Sequence, residues 1–297
     1  MTWTAIARKD FEDVVRSRMV WGITAVFLLL MGIVTLGASS QIDDASATDV
    51  IFFFTNIGGQ LFVPIIALVV GYMAIVGERQ SGSLRILFGL SHNRRDVLVG
   101  KLASRTGVIV VATLAACAFA AALMFALFGS LPVPTVLGFV ALTVLLGAAF
   151  TAIAVGVSAM TDTRMGAMGG AIGSYILFTM LWHPLIAGLH YALEGELVGV
   201  EAPAWYLFAL RLNPLESYRQ AIASMIDAYV PALVGWENIV EDVPAGSFQE
   251  GTLLTSNRVA GDVPFYLSEW FAPVVLLAWI VVPIAIGYRR FERADLN

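Results

Sequence analysis

An all-helical integral membrane protein with six transmembrane helices is the fold class this sequence predicts, and three observations carry that reading. Of the 297 residues, 59% are hydrophobic and 13% are charged, with a mean hydropathy of +0.82, a balance far from that of a soluble domain. Six stretches contain no Asp, Glu, Lys or Arg and reach the length of about 20 residues that a spanning helix needs; they are 19–38, 57–76, 106–128, 135–160, 165–189 and 271–288. The basic residues fall almost entirely on alternate loops. The same composition excludes other classes. Cys117 is the only cysteine, so neither an internal disulfide nor a cysteine-rich metal fold is available. A net charge of −5 leaves no basic face for nucleic acid.

Residues 1–18 place Trp3, Ile6, Ala7, Phe11, Val14 and Val15 at helical spacing, with Arg8, Lys9, Glu12, Asp13 and Arg16 on the other faces. That pattern predicts an amphipathic interfacial helix on the inner leaflet. The first span is not a signal peptide, because eighteen residues precede it and the rest of a secretory layout is missing. Orientation follows from the retention of Lys and Arg on the cytoplasmic side. Arg8, Lys9, Arg16 and Arg18 precede span one; Arg79, Arg85, Arg94, Arg95, Lys101 and Arg105 lie between spans two and three; Arg164 lies between four and five; Arg289, Arg290 and Arg293 end the chain. Only Arg211, Arg219 and Arg258 remain on the opposite side. A multi-pass protein of the plasma membrane with both termini in the cytoplasm is therefore expected.

The inner loop, 77–105, reads as helix, break, helix. Gly82 interrupts the end of span two, Ser83 can cap a short helix through Leu90 with Leu84, Leu87 and Phe88 on one face, and Asn93 with Asp96 can cap the next helix, which runs on into span three. A short helix at the tip of two spans, with apolar residues on one face and Arg85, Arg94 and Arg95 around it, suits docking into a groove on another protein. A basic hairpin that only obeys the charge rule has the same composition.

In span five, Gly166, Gly169, Gly170 and Gly173 recur at a spacing that lets helix backbones approach closely in lipid; contact inside one subunit is the first expectation, a moving or dimerising face the second. Asn56, Gln60 and Tyr72 form a polar patch on span two that either lines a path or is hydrogen-bonded within the bundle. His183 and His190 are seven residues apart, about 10 Å along a helix, too far to share a metal, and most of the ten methionines read as packing residues. In the outer loop, 190–270, Asn213, Pro214 and Glu216 mark a strong helix start before an apolar stripe of Leu215, Tyr218, Ile222, Met225, Ile226 and Tyr229. The stretch 237–262 reads as irregular, and Trp182, Trp205 and Trp270 suit the outer interface. A lid resting on the membrane and a docking surface both explain this loop.

Residues Glu78 to Leu87 (ERQSGSLRIL), followed by Asn93 to Leu102 (NRRDVLVGKL), resemble the segment after the second span in ABC-2 type permeases, the membrane subunits of one class of ATP-binding-cassette transporters. The likeness is strongest to the permeases grouped with the nitrous-oxide-reductase maturation exporter. It extends to the leader helix, to Asn213 through Arg219 and to Arg289 through Leu296; His92-Asn93 departs from the Pro and Ser often found before the arginines. The resemblance makes Glu78, Gly82, Gly100 and Lys101 motif residues. It implies a coupling helix at 83–90 seated on a separate ATPase subunit, a homodimer of permeases within membrane lipid, export as the direction, and ATP bound by the partner with no cofactor in this chain. The residues agree independently: there is no phosphate loop, since Gly100-Lys101 is followed by Leu102 and position 95 is Arg95 where a glycine is required. Two alternatives stay open. An ion-coupled transporter would need intramembrane ionisable groups, of which few are visible, and a membrane assembly factor driven by an ATPase would need the same coupling helix.

Overall fold

The computed structural model describes residues 3–41, 46–84, 93–244, 252–259 and 261–293, apart from the side chains of Met19, Ile23, Gln41 and Asn238. Among them the chain is almost entirely helical, with one isolated bridge between Ala202 and Val259. Six helices are long and apolar enough to cross a membrane: Val20–Ser40, Ala47–Ser81, Arg94–Phe128, Val133–Met160, Arg164–Glu194 and Phe271–Arg293, numbered here as spans one to six.

Span two starts well before Ile57. Ser46 and Asp49 form a reciprocal capping box, with the Asp49 carboxylate accepting from the Ser46 N–H at 2.9 Å and the Ser46 hydroxyl accepting from the Asp49 N–H at 3.4 Å. An acidic residue in the first turn breaks a hydropathy window yet favours a helix N-terminus, where the backbone dipole is positive. The span is not uniform. Thr55–Phe62 and, in span five, Leu177–Leu181 are π-helical, and residues 72–75 form a turn before the helix resumes at Val76. At that turn the hydroxyl of Ser158 in span four accepts from the N–H groups of Ile75 and Val76 at 3.0 and 3.1 Å. Freed backbone donors in a membrane need such a partner.

Span four is the central helix and packs on spans two, three and six. Its approach to two neighbours depends on missing side chains: a Cβ on Gly71 would lie 2.6 Å from the Ala154 Cβ, and one on Gly156 would lie 2.6 Å from the Pro283 carbonyl oxygen. Aromatic edges fill the outer half, with Phe54 5.7 Å from Phe27 and 5.3 Å from Phe139, and Phe178 4.9 Å from Trp279. Spans one, five and six are the least buried and form the rim.

The outer loop supplies the largest departure from a membrane-resting lid. Asn213 caps Pro214–Ile226 as expected, its side-chain oxygen accepting from the Leu215 N–H at 2.9 Å. The helix then enters the bundle between spans two, four and six. Tyr218 is fully buried, its hydroxyl 3.0 Å from that of Thr143 in span four, and a Cβ on Gly59 would come within 2.4 Å of its ring. The stripe residues Leu215, Tyr218 and Ile222 are buried as their spacing predicts.

Candidate functional site

The motif residues of the loop between spans two and three converge at the end of the bundle that carries the leader helix. Gly82 adopts φ 77°, a left-handed conformation that ends the helix Val76–Ser81 and that glycine takes without steric penalty. Gly100 serves a different purpose. A Cβ there would lie 2.9 Å from the side chain of Ile6 and 3.0 Å from the Trp3 carbonyl oxygen, so its absence lets the leader helix, Trp3–Val15, lie directly on the start of span three. The buried face of that leader is Ile6, Asp10 and Val14, whereas Trp3, assigned to the apolar face by spacing, is exposed. Asp10 is drawn inward by charge. Lys101, only 5% exposed, places its ammonium 2.5 Å from the Asp10 carboxylate and also bonds Glu78, and Arg105 adds a contact to Asp10 at 3.1 Å. One lysine thus ties the leader helix, the end of span two and the start of span three together.

Leu84 is 1% exposed and packs with Ile6, Ile75, Leu98 and Phe291. Its side chain packs inside the chain, at the base of the loop. Ser83 donates to the Glu78 carbonyl at 3.3 Å and lies 3.0 Å from the Ser81 hydroxyl. Arg85, Leu87 and Phe88 lie outside the described residues. Arg94 is likewise committed internally. It donates to the Phe291 and Glu292 carbonyls, the latter at 2.7 Å, and its guanidinium stands 5.7 Å from the Phe291 ring centroid, joining span three to the end of span six. Arg95 is exposed. Asn93 occupies the cap position with extended backbone but makes no side-chain cap bond. Arg79 bonds Asp162 and the Thr161 carbonyl, the latter at 3.0 Å, binding this region to the loop after span four.

In span five a Cβ on Gly170 would meet Val157 at 2.6 Å and one on Gly166 would meet Thr163 at 3.1 Å, while Gly169 and Gly173 have nothing within 4 Å. The first pair touches the chain's own atoms, and the second opens outward beside the exposed Met168, Ile172 and Ile176.

A second polar cluster, not anticipated from the sequence, lies at the outer end. Arg219 donates to both oxygens of Glu216 at 2.6 and 2.7 Å and to Glu237 at 2.9 Å, with Tyr229 against its guanidinium. Burial opposes ionisation of both carboxyls, and Arg219 outweighs it, so Glu216 stays below the usual carboxylate range and Glu237 falls to about 2. Gln220 extends the network, donating to Glu216 at 2.6 Å and accepting from Arg211 at 2.9 Å. His183 stands 4.0 Å from Glu216, whereas His190 stacks on Trp205 and bonds the Glu196 carbonyl. The i, i+3 spacing of Glu216 and Arg219 on a well-capped helix is the signal that could have revealed this pairing.

The connection between spans five and six also bonds to the π-helical segments. Asn213 donates to the Phe178 carbonyl at 2.7 Å and Trp236 to that of Thr179 at 3.2 Å. Gln60 donates to the Pro231 carbonyl at 3.0 Å and accepts from the Leu233 N–H at 3.1 Å, which places this member of the polar patch in internal hydrogen bonding. These networks are closed pairs that hold elements in position. They do not array a nucleophile against a base.

Residues 4–296 match the family described as ABC-2 family transporter protein. The chain is 30% identical over 254 residues to the protein named "Probable ABC transporter permease protein NosY" of Pseudomonas aeruginosa, covering 83% of this chain and 90% of that protein. It is 29% identical over 303 residues to the protein of the same name from Stutzerimonas stutzeri, covering 97% of each. With six apolar helices and a family match running nearly end to end, the chain belongs to the ABC-2 family of transporter permeases, as a multi-pass membrane subunit.

Proposed function

We propose that this permease is driven by a separate ATP-binding-cassette ATPase seated on the segment 83–90, with both termini in the cytoplasm of a plasma-membrane transporter. The observation that carries the proposal is the construction of the loop's base. Lys101 with Asp10 and Glu78, Leu84 in its apolar cluster, and Arg94 on the end of span six clamp both ends of the segment to four helices. A loop built only to satisfy the charge rule needs no such clamping, whereas a lever that passes a push into the membrane does. Two apolar residues, Leu87 and Phe88, and the exposed Arg95 are then the contacts offered to the ATPase.

Export is the direction we assign, by likeness to the family. Two permeases pair through the outward face of span five, where Gly169 and Gly173 leave room for a second backbone. Co-purification tests the reading. Leu87→Asp and Phe88→Asp should each release the ATPase subunit, or uncouple its hydrolysis from transport, at unchanged membrane yield. Full ATPase recovery and full transport in both variants would overturn the docking assignment.

A further inference from the structure

We propose that the outer loop carries a binding site for a small water-soluble zwitterion of the amino-acid type, separate from any path between permeases. The site is a cavity of about 490 Å³ enclosed by the helices Ala204–Arg211 and Pro214–Ile226 and by segments between 253 and 270, with His183 as the one residue contributed by a span.

Three cationic side chains line it, and two are already neutralised. Arg219 is held by Glu216 and Glu237, and Arg258 bonds Glu241 at 2.9 Å. Arg211 is different. It is 2% exposed, and its bonds go to neutral oxygens, those of Gln220 at 2.9 Å, Ser268 at 2.6 Å and Tyr266 at 3.4 Å; among the described residues it forms no ion pair. Burial lowers its pKa to about 10, with the charges of Glu216 and Glu269 only partly offsetting that loss. A buried guanidinium with an unfilled demand for a carboxylate, facing a cavity, is a receptor for an anionic group.

A simple anion does not suit the rest of the wall. Asp227 and Glu269, both exposed, also line the cavity and would repel it. Glu269 acts electrostatically on Arg211 without pairing with it. A ligand with a carboxylate for Arg211 and an ammonium for Glu269 satisfies both and enters with no net charge. Leu207, Leu210, Leu267 and Trp270 supply the apolar wall for its side chain. Because outer-loop segments form nearly all of the enclosure, the occupant comes from the aqueous phase and not from the bilayer.

The test uses the full chain in nanodiscs of phosphatidylglycerol, titrated calorimetrically with L-leucine, with 4-methylpentanoate, which lacks the amine, and with 3-methylbutylamine, which lacks the carboxylate. Leucine should bind at least ~10-fold more tightly than either analogue, the usual scale when one charged partner of a desolvated pair is missing. Glu269→Gln, at an exposed position where folding is not at risk, should weaken leucine and, by removing a repelling carboxylate, strengthen 4-methylpentanoate, so that leucine loses its advantage over that analogue. Arg211→Lys should weaken both carboxylates and spare the amine. Absence of leucine binding, equal binding of all three compounds, or indifference to Glu269→Gln overturns the assignment. Loss of leucine binding when phosphatidylethanolamine is added to the nanodiscs overturns the aqueous source and makes the occupant a lipid headgroup.

Discussion

Replacing Lys101 by Met should destabilise the end of the bundle that carries the leader helix more than any other single charge removal there. The lysine is nearly inaccessible and serves two carboxylates; without it Asp10 keeps Arg105 but Glu78 loses its ion pair, leaving one negative charge unbalanced. Removing one member of a buried ion pair costs about 3–5 kcal/mol, and because the Glu78 side chain is 24% exposed and keeps some water, about 3 kcal/mol is the expected figure. At about 2–4 °C per kcal/mol, the melting temperature should fall by about 6–12 °C. The chain contains its own reporter, since Cys117 is the sole cysteine and is buried, so a fluorogenic thiol dye reads unfolding directly. Lys101→Met/Glu78→Gln removes the unbalanced charge and should recover most of the loss. Melting of Lys101→Met indistinguishable from wild type, or a double variant no better than the single one, would refute the clamp. The first result would mean that the leader helix is held by Ile6 and Val14 alone.

Gly156→Val sets a side chain against the Pro283 carbonyl oxygen, which a Cβ already approaches to 2.6 Å, and should cost about 1–3 kcal/mol by overpacking in the same dye assay. A Cβ on Gly169 or Gly173 meets nothing within 4 Å, so in Gly169→Leu and Gly173→Leu monomer melting should hold while cross-linking of paired permeases declines; an unaltered dimer fraction would remove span five from the interface. Glu237 titrates at about 2 when folded against 4.5 when free, so its contribution is complete above the free value and drains as pH falls from there towards 2. At about 1.4 kcal/mol per unit that is up to about 3 kcal/mol, and circular-dichroism melts across this range should flatten in Glu237→Gln. A reporter fused after Asp242 should be active only outside the cytoplasm and one fused after Asn297 only inside, and the purified chain alone should neither bind nor hydrolyse ATP.

The spans were legible because a hydrocarbon solvent demands about 20 apolar residues whatever the function, and the breaks at Gly82 and Asn213 were legible because each uses a residue type suited to that backbone. Helix ends were less so. Span two reaches back to Ala47 through the polar cap of Ser46 and Asp49, which a search for uncharged stretches stops short of. Leu84 shows the limit of spacing arguments: it shares a helical face with Leu87, yet that rule does not say whether the face meets another protein or the chain's own core. The packing of Pro214–Ile226 was hidden for a different reason. In the sequence Glu216 marks only a helix start, and its pairing with Arg219, which lets a charged helix sit among spans, shows only once the helix is packed. Asp10 belongs with them, a carboxylate turned inward by a lysine ninety-one positions away.

The hydrogen bonds that close the π-helical turns also set an order of assembly during synthesis. Spans two and five leave the ribosome before Asn213, Pro231, Leu233 and Trp236 exist, so the Phe178 and Thr179 carbonyls first enter the bilayer without these side-chain donors, and Gln60 enters without its two backbone partners. A nascent chain stopped before residue 213 therefore lacks both sets of contacts, and only the segment after span five supplies them. Quality control that senses uncovered polar groups in lipid would thus recognise this protein as unfinished until its fifth and longest connection, between spans five and six, has been made.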